Sequence, residues 1–229
     1  MHQSINKKKI YFYLLILIFL STSFNINIFS DFSKINLIKN IEIQGLENKE
    51  KNLLIKELEI LKNNNIFFID KKKISKILNL FDFLDYYNIK KIIPSKLIVT
   101  AKKTNFVGST IIDGKNYYVG KNGKFISEFD VQKESNLPLI FGNFKPNEFL
   151  DLQNNLVKEN FKLNKIKKYF FYKNQRWDFQ DHQNNLVMLP SKNVVQSLKI
   201  YKKIIEYNKF DTAKIIDLRI PNKIILTYE

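Results

Sequence analysis

The sequence predicts an α+β protein with an N-terminal apolar segment, a small βααββ unit, and then a mostly antiparallel β domain with two helices. Three observations lead there. An unbroken apolar run, residues 10–20, directly follows Lys7-Lys8-Lys9. Leucines and isoleucines between residues 54 and 81 recur at helical spacing, with short alternating strands on either side. From Asn105 onward the texture changes to short strands punctuated by Asp113-Gly114 and Asn122-Gly123, both strong hairpin signals. The 229 residues suffice for one large or two small domains. With 45% hydrophobic and 14% aromatic residues, the composition excludes a disordered chain.

The apolar run continues, diluted by Ser21, Thr22 and Ser23, to Phe29. Spanning a bilayer as a helix takes about 20 residues, so the uninterrupted part is short. Two readings are open. In one the segment is a signal peptide, with Ser21 and Ser23 as the small residues of a cleavage site. In the other, residues 10–29 stay as an anchor and the hydroxyls bond back to the helix. Either way the three lysines remain in the cytoplasm and everything after residue 30 is exported. Residues 40–45 then read as a strand ending at Gly45. Leu54, Leu58 and Leu61, with Ile55, mark one helix. Asp70 is placed to cap a second that carries Ile74, Ile77, Leu78 and Phe81. Residues 87–93 form a strand stopped by Pro94-Ser95, and residues 97–101 form the next.

Beyond Asn105, residues 106–112, 117–119, 124–127 and 137–142 are short strands. Residues 146–160 are helical, with Phe149, Leu152 and Leu156 on one side. Residues 166–172, 176–180 and 186–189 make a three-stranded meander, and Val194, Leu198, Tyr201 and Ile205 define a last helix. Ile216, Leu218 and Ile220 alternate with Asp217 and Arg219, and Pro221-Asn222 turns the chain. Ile224, Leu226 and Tyr228 alternate again out to Glu229, which predicts a closing strand left uncovered at a sheet edge. Such edges invite pairing with another chain.

The net charge of +16 raises nucleic acid or a lipid surface as a partner. Only Arg176 and Arg219 are arginines, however, and bidentate phosphate or base recognition favours arginine. Lysine, asparagine and isoleucine are enriched along the whole chain, which reads as compositional bias. Cysteine is absent, excluding disulfides and thiolate metal sites. His182 sits in a polar hairpin tip, with no second exported histidine to share a metal. No phosphate-cradling glycine loop or nucleophile elbow is present. The chain therefore reads as a binding module with no catalytic residues, no cofactor and no small-molecule substrate.

Two features carry the binding reading. Arg176-Trp177-Asp178 concentrates one of the two arginines and the sole tryptophan; its plain structural role is an indole packed on the last helix and an arginine neutralising a carboxylate. Asp217 and Arg219 share one strand face, where an ion pair on a solvated surface is the plain reading.

Taken in order, these residues resemble the bacterial cell-division family FtsQ, or DivIB. Residues 39–45 are similar to the first strand of the family's POTRA domain. NNNIFFIDKKKISKIL at 63–78 resembles its "n-i-f-x-i-D" segment, and KIIPSKL at 91–97 its "R-x-x-P-x-x-L" turn. Residues 117–125, 137–142, Arg176-Trp177-Asp178 and Leu189-Pro190 fall where the family's β domain has similar patterns. Ile216-Asp217-Leu218-Arg219 matches its "v-D-L-R". The family's "E-R-x-P" is replaced by Ala101-Lys102-Lys103-Thr104-Asn105. The resemblance implies a cytoplasmic tail (1–9), a retained anchor (10–29), a POTRA-like domain (36–104) and a β domain (105–229). It also implies a non-enzymatic divisome scaffold of the inner membrane, single-pass and mostly periplasmic. Its β domain would bind the FtsB–FtsL pair by accepting a strand on its edge. The positions expected to meet that partner are Arg176, Trp177, Asp217, Arg219, Lys223, Ile225, Thr227 and Tyr228. Rival readings are another exported POTRA-bearing assembly or secretion factor, and a basic nucleic-acid- or lipid-binding protein.

Overall fold

The computed structural model describes residues 7–23, 36–206, 213–221 and 223–228. Helix α1 is Lys7–Ser23. Its apolar residues from Ile10 to Leu20 are exposed on every side. Ser21 Oγ donates to the Ile18 carbonyl at 2.9 Å, so the hydroxyl does bond back to the helix. The expected span of 10–29 is not matched: at 17 residues α1 measures about 25 Å, against a hydrocarbon core of about 30 Å. No helix among the described residues is long and apolar enough to cross a membrane. Residues 24–29 lie outside the described ones.

The next elements are β1 (Asn40–Gln44), α2 (Asn48–Leu58), α3 (Lys71–Leu78), β2 (Leu84–Ile92) and β3 (Lys96–Lys103). The strands form a sheet in the order β1-β3-β2, with β1 parallel and β2 antiparallel to β3. Gly45 ends β1 at φ +86°, where an added Cβ would collide with the Ala101 carbonyl. The leucine repeat is broken: α2 stops at Leu58, and Leu61 belongs to a 3-10 turn, Glu59–Leu61. Asp70 caps α3 by accepting from the Lys72 N–H at 2.9 Å. Phe81 lies past the end of that helix, partly buried against the same core.

Nine strands make the second sheet: β4 (Phe106–Ile112), β5 (Lys115–Gly120), β6 (Phe125–Ser127), β7 (Leu139–Phe141), β8 (Ile166–Phe171), β9 (Trp177–Asp181), β10 (Leu186–Met188), β11 (Ala213–Asp217) and β12 (Ile225–Tyr228). Helix α4 is Pro146–Lys158 and α5 is Val194–Glu206. The spatial order is β12-β11-β10-β9-β8-β7-β4-β5-β6. Most neighbours are antiparallel, but β4–β7, β7–β8 and β10–β11 are parallel. Asp113 and Gly114 take φ of 49° and 73°, the left-handed pair that a two-residue hairpin needs.

One face of this sheet is core. The register row Ile140, Tyr169, Phe179, Val187, Ile216, Leu226 runs from β7 to β12 and packs with Phe149, Leu152 and Leu156 of α4 and Leu198 and Tyr201 of α5. Burying each such aliphatic or aromatic side chain is worth about 1.5–3 kcal/mol. On the opposite face the first core reaches over β4–β6 and the residues after them, taking in Phe106, Tyr118, Ile126 and Val131. That junction also carries charge. Glu50 of α2 is fully buried, accepts from the Gln132 N–H at 2.9 Å and lies 3.4 Å from Lys103, which also meets Glu134 at 3.3 Å. Lys49 Nζ donates to the Val131 carbonyl at 2.8 Å.

The closing strands are shorter than the alternation implies. Asp217 ends β11 because its Oδ1 accepts the Arg219 N–H at 3.0 Å, a side-chain turn that draws the backbone off the ladder. Leu218 is buried, whereas Ile220 is exposed. The Ile205 side chain, Asn222 and Glu229 fall outside the described residues.

Candidate partner-binding edge and the arginine pair

The chain turns between β8 and β9 at Gln175 (φ 60°), and the Tyr172 N–H donates to the Arg176 carbonyl at 2.9 Å. This places the Arg176 guanidinium 4.2 Å from the centre of the Tyr172 ring. Arg176 Nη2 donates to Asp178 Oδ2 at 3.2 Å, and Asp178 Oδ1 accepts from the Leu189 N–H at 3.2 Å. Asp178 is fully buried. Burial pushes its carboxyl above the ordinary value, against the opposing pull of Arg176.

Register carries this pair toward the edge. Asp178 faces Met188, Met188 faces Asp217, and Asp217 faces Ile225. At Asp217 the Arg219 guanidinium donates Nε to Oδ1 at 2.8 Å and Nη2 to Oδ2 at 2.6 Å. Those hydrogen bonds hold the Asp217 carboxyl below the usual range, over the opposing effect of burial, and the Arg176 charge adds to the lowering. Arg219 is raised, chiefly by Asp217 and also by Asp178 and Tyr172. The two arginines and two aspartates thus share one electrostatic field next to the sheet edge.

Trp177, between Arg176 and Asp178, points the other way. It is buried, with ring centres 4.7 Å from Phe171, 5.5 Å from Phe144 and 5.7 Å from Phe149. The expected packing on the last helix gives way to packing on α4, whose Phe149 lies over β9. Trp177 therefore supports Arg176 from within and offers no surface of its own.

Among the described residues, strand β12 pairs only with β11. Its backbone orientation follows from one hydrogen bond. The Leu218 N–H donates to the Met188 carbonyl at 2.9 Å, so Ile216 and Leu218 aim their groups at β10 and Asp217 aims its own at β12. Asp217 opposes Ile225, and Ile215 opposes Thr227, so Ile225 and Thr227 turn their backbone groups inward. The outward N–H and C=O groups are those of Leu226 and Tyr228. The side chains of Lys223, Ile225, Thr227 and Tyr228 are all exposed. The structure gathers Arg176, Asp217, Arg219 and Ile225 on one face. The expected neutralisation of a carboxylate by Arg176 is met by Asp178, whereas sequence reasoning missed Tyr172, although it lies within four residues of Arg176.

His182 is a hairpin residue, with Nε2 3.2 Å from the Asn164 carbonyl. Among the described residues, no group of three or more histidines and carboxylates could hold a metal ion.

Residues 111–219, which include Arg176, Trp177, Asp217 and Arg219, match the family model "Cell division protein FtsQ/DivIB, C-terminal". Over that stretch, a little under half of its length, the chain is similar to the FtsQ/DivIB family. That domain match supports a role in cell division. A solved FtsQ/DivIB-family structure, the major extracytoplasmic domain of the trans isomer of DivIB from Geobacillus stearothermophilus, is similar at 11% identity. The likeness covers 47% of this chain and 98% of that one, with a TM-score of 0.32. A search of curated proteins gives no match.

Proposed function

We propose that this protein is a non-enzymatic scaffold of the division machinery that binds the FtsB–FtsL pair by strand addition to β12. The observation that carries the reading is the free edge, with the outward backbone groups of Leu226 and Tyr228 beside the Arg176–Arg219 field. A strand laid there gains main-chain hydrogen bonds for affinity and side-chain contacts for selectivity. An acidic side chain on it would meet Arg219, the more exposed of the two arginines. In this reading residues 1–9 are cytoplasmic, the apolar segment 10–29 stays in the inner membrane, and the POTRA-like and β domains are periplasmic at the septum. The lysines ahead of the apolar run and the exposure of Ile10 to Leu20 on all sides support the anchor.

The test is co-purification of the full chain with the FtsB–FtsL pair from detergent-solubilised membranes, repeated with β12 substituted. Loss of both partners on substitution supports the proposal. Undiminished recovery sinks it.

A further inference from the structure

One end of the first sheet carries a surface that strand addition does not use. Residues 36–40 enter the fold there, fastened on two sides. The Ile38 N–H donates to the Asn64 carbonyl at 2.9 Å and the Ile66 N–H to the Asn36 carbonyl at 2.8 Å. The Lys39 N–H donates to the Ser95 carbonyl at 2.9 Å. The loop before α3 and the β2–β3 turn therefore sit at the point where the chain arrives from α1. Lys91 Nζ ties them together, donating to the Ile69 carbonyl at 2.5 Å.

This end is both apolar and basic. Phe68 is 68% exposed, Ile60 72% and Ile93 63%. Immediately beyond Phe68, Lys71, Lys72 and Lys73 fill the first turn of α3, all exposed, with no acidic residue in that turn. Lysines at the positive end of a helix are electrostatically misplaced unless an anion lies opposite. Among the described residues none of the three forms an ion pair; Asp70 is engaged as the cap, and Glu59 is paired with Lys62 at 2.7 Å. Isolated exposed apolar residues are ordinary on any surface. Here they coincide with unanswered lysines at the entry point of a chain whose preceding helix is apolar on all sides. At most about 45 Å of backbone separates Ser23 from Asn36, and this is the end at which the chain enters the fold.

We infer that the Phe68 loop, the Ile93 turn and the first turn of α3 dock on a bilayer surface rich in anionic phospholipid. The apolar side chains would enter the headgroup boundary while the lysines neutralise phosphates. This rests on the anchored reading of α1, and the test separates the two.

The sequence has no cysteine, so single-cysteine probes report cleanly. Full-length F68C and, as a control on another exposed aromatic, F129C are labelled with an environment-sensitive dye. Each is reconstituted in vesicles containing lipids with acyl-chain spin labels as quenchers, with or without phosphatidylglycerol. The expected result is stronger quenching at position 68 than at 129, dependent on phosphatidylglycerol. Docking should weaken about fivefold for each of Lys71, Lys72 and Lys73 changed to Gln. Equal quenching at the two positions overturns the proposal. So does shielding of position 68 that polyglutamate provides and vesicles do not, because the surface would then serve an acidic protein. Extraction at alkaline pH reads the anchor separately: a released chain refutes the anchor, while quenching measured before extraction still decides the surface.

Discussion

Arg219 grips Asp217 from two residues away with both arms of its guanidinium, at 2.8 and 2.6 Å, and its own N–H closes on the same carboxylate at 3.0 Å. One carboxylate thus stops strand β11 and fixes the direction in which Arg219 leaves the sheet. Because Arg219 is largely exposed, Arg219→Ala should cost no more than about 1 kcal/mol of stability. Its effect on affinity for the FtsB–FtsL pair should be larger than that, measured by calorimetric titration of the variant.

Asp217 and Asp178 should respond to acid with opposite signs. Asp217 is depressed in the fold, so its contribution is present above the unfolded carboxylate value and is lost as pH falls through the lower folded one, below about pH 4. Asp178 is raised, so the fold gains stability from it as pH falls through its folded value. Urea melts across this range should show Asp217→Asn losing less stability on acidification than wild type, and Asp178→Asn losing more.

Trp177 is fixed among Phe144, Phe149 and Phe171. Trp177→Ala should cost about 3–5 kcal/mol through the cavity it leaves, read as a fall in melting temperature. An unchanged melting temperature would contradict the packing described.

Proline scanning should distinguish the two sides of β12. Tyr228→Pro removes an outward N–H and should abolish partner binding with circular dichroism preserved. Ile225→Pro removes a bond to β11 and should loosen the hairpin itself. Equal, wild-type binding by both variants would exclude this edge as the docking site.

Lys103 answers a fully buried Glu50. Burial acts to lower the lysine's pKa, but the hydrogen bond it donates to Glu134 and the charges of Glu50 and Glu47 outweigh it and the net shift is upward. Its contribution is therefore complete below the ordinary lysine value and lost as pH rises through the higher folded one, above about pH 10. Lys103→Met should cost about 3 kcal/mol, because Glu50 is left with only the Gln132 N–H. Chemical denaturation at neutral pH checks the cost.

What was legible in the sequence was what is decided locally. Asp113-Gly114 announces its turn because few residues accept left-handed backbone, and Asp70 announces its cap because its oxygen need reach only two residues. The meander of β8, β9 and β10 was readable from alternation. The parallel insertion of β7 between β4 and β8 was not, since three-residue strands carry almost no periodicity and their partners are remote. The electrostatic coupling of the Arg176–Asp178 and Arg219–Asp217 pairs was hidden for a related reason: it depends on the register of β9, β10 and β11 together. The end of β11 was misplaced because apolar alternation continues through Ile220, while the Asp217 side chain had already diverted the backbone.

The core that Phe106, Tyr118, Ile126 and Val131 share with the first sheet has a geometric consequence. Two modules on a slack tether would let the free edge sweep a hemisphere above the membrane. Two modules fused through common packing move as one body, so docking of the first module on a bilayer, as proposed, would present the edge at one altitude and heading. If the chain is anchored as proposed, a partner rooted in the same membrane would search a plane instead of a volume, and a modest intrinsic affinity would become high occupancy through effective concentration alone. Loosening the Glu50–Lys103 junction would be felt as a slower encounter at an edge whose own residues are intact.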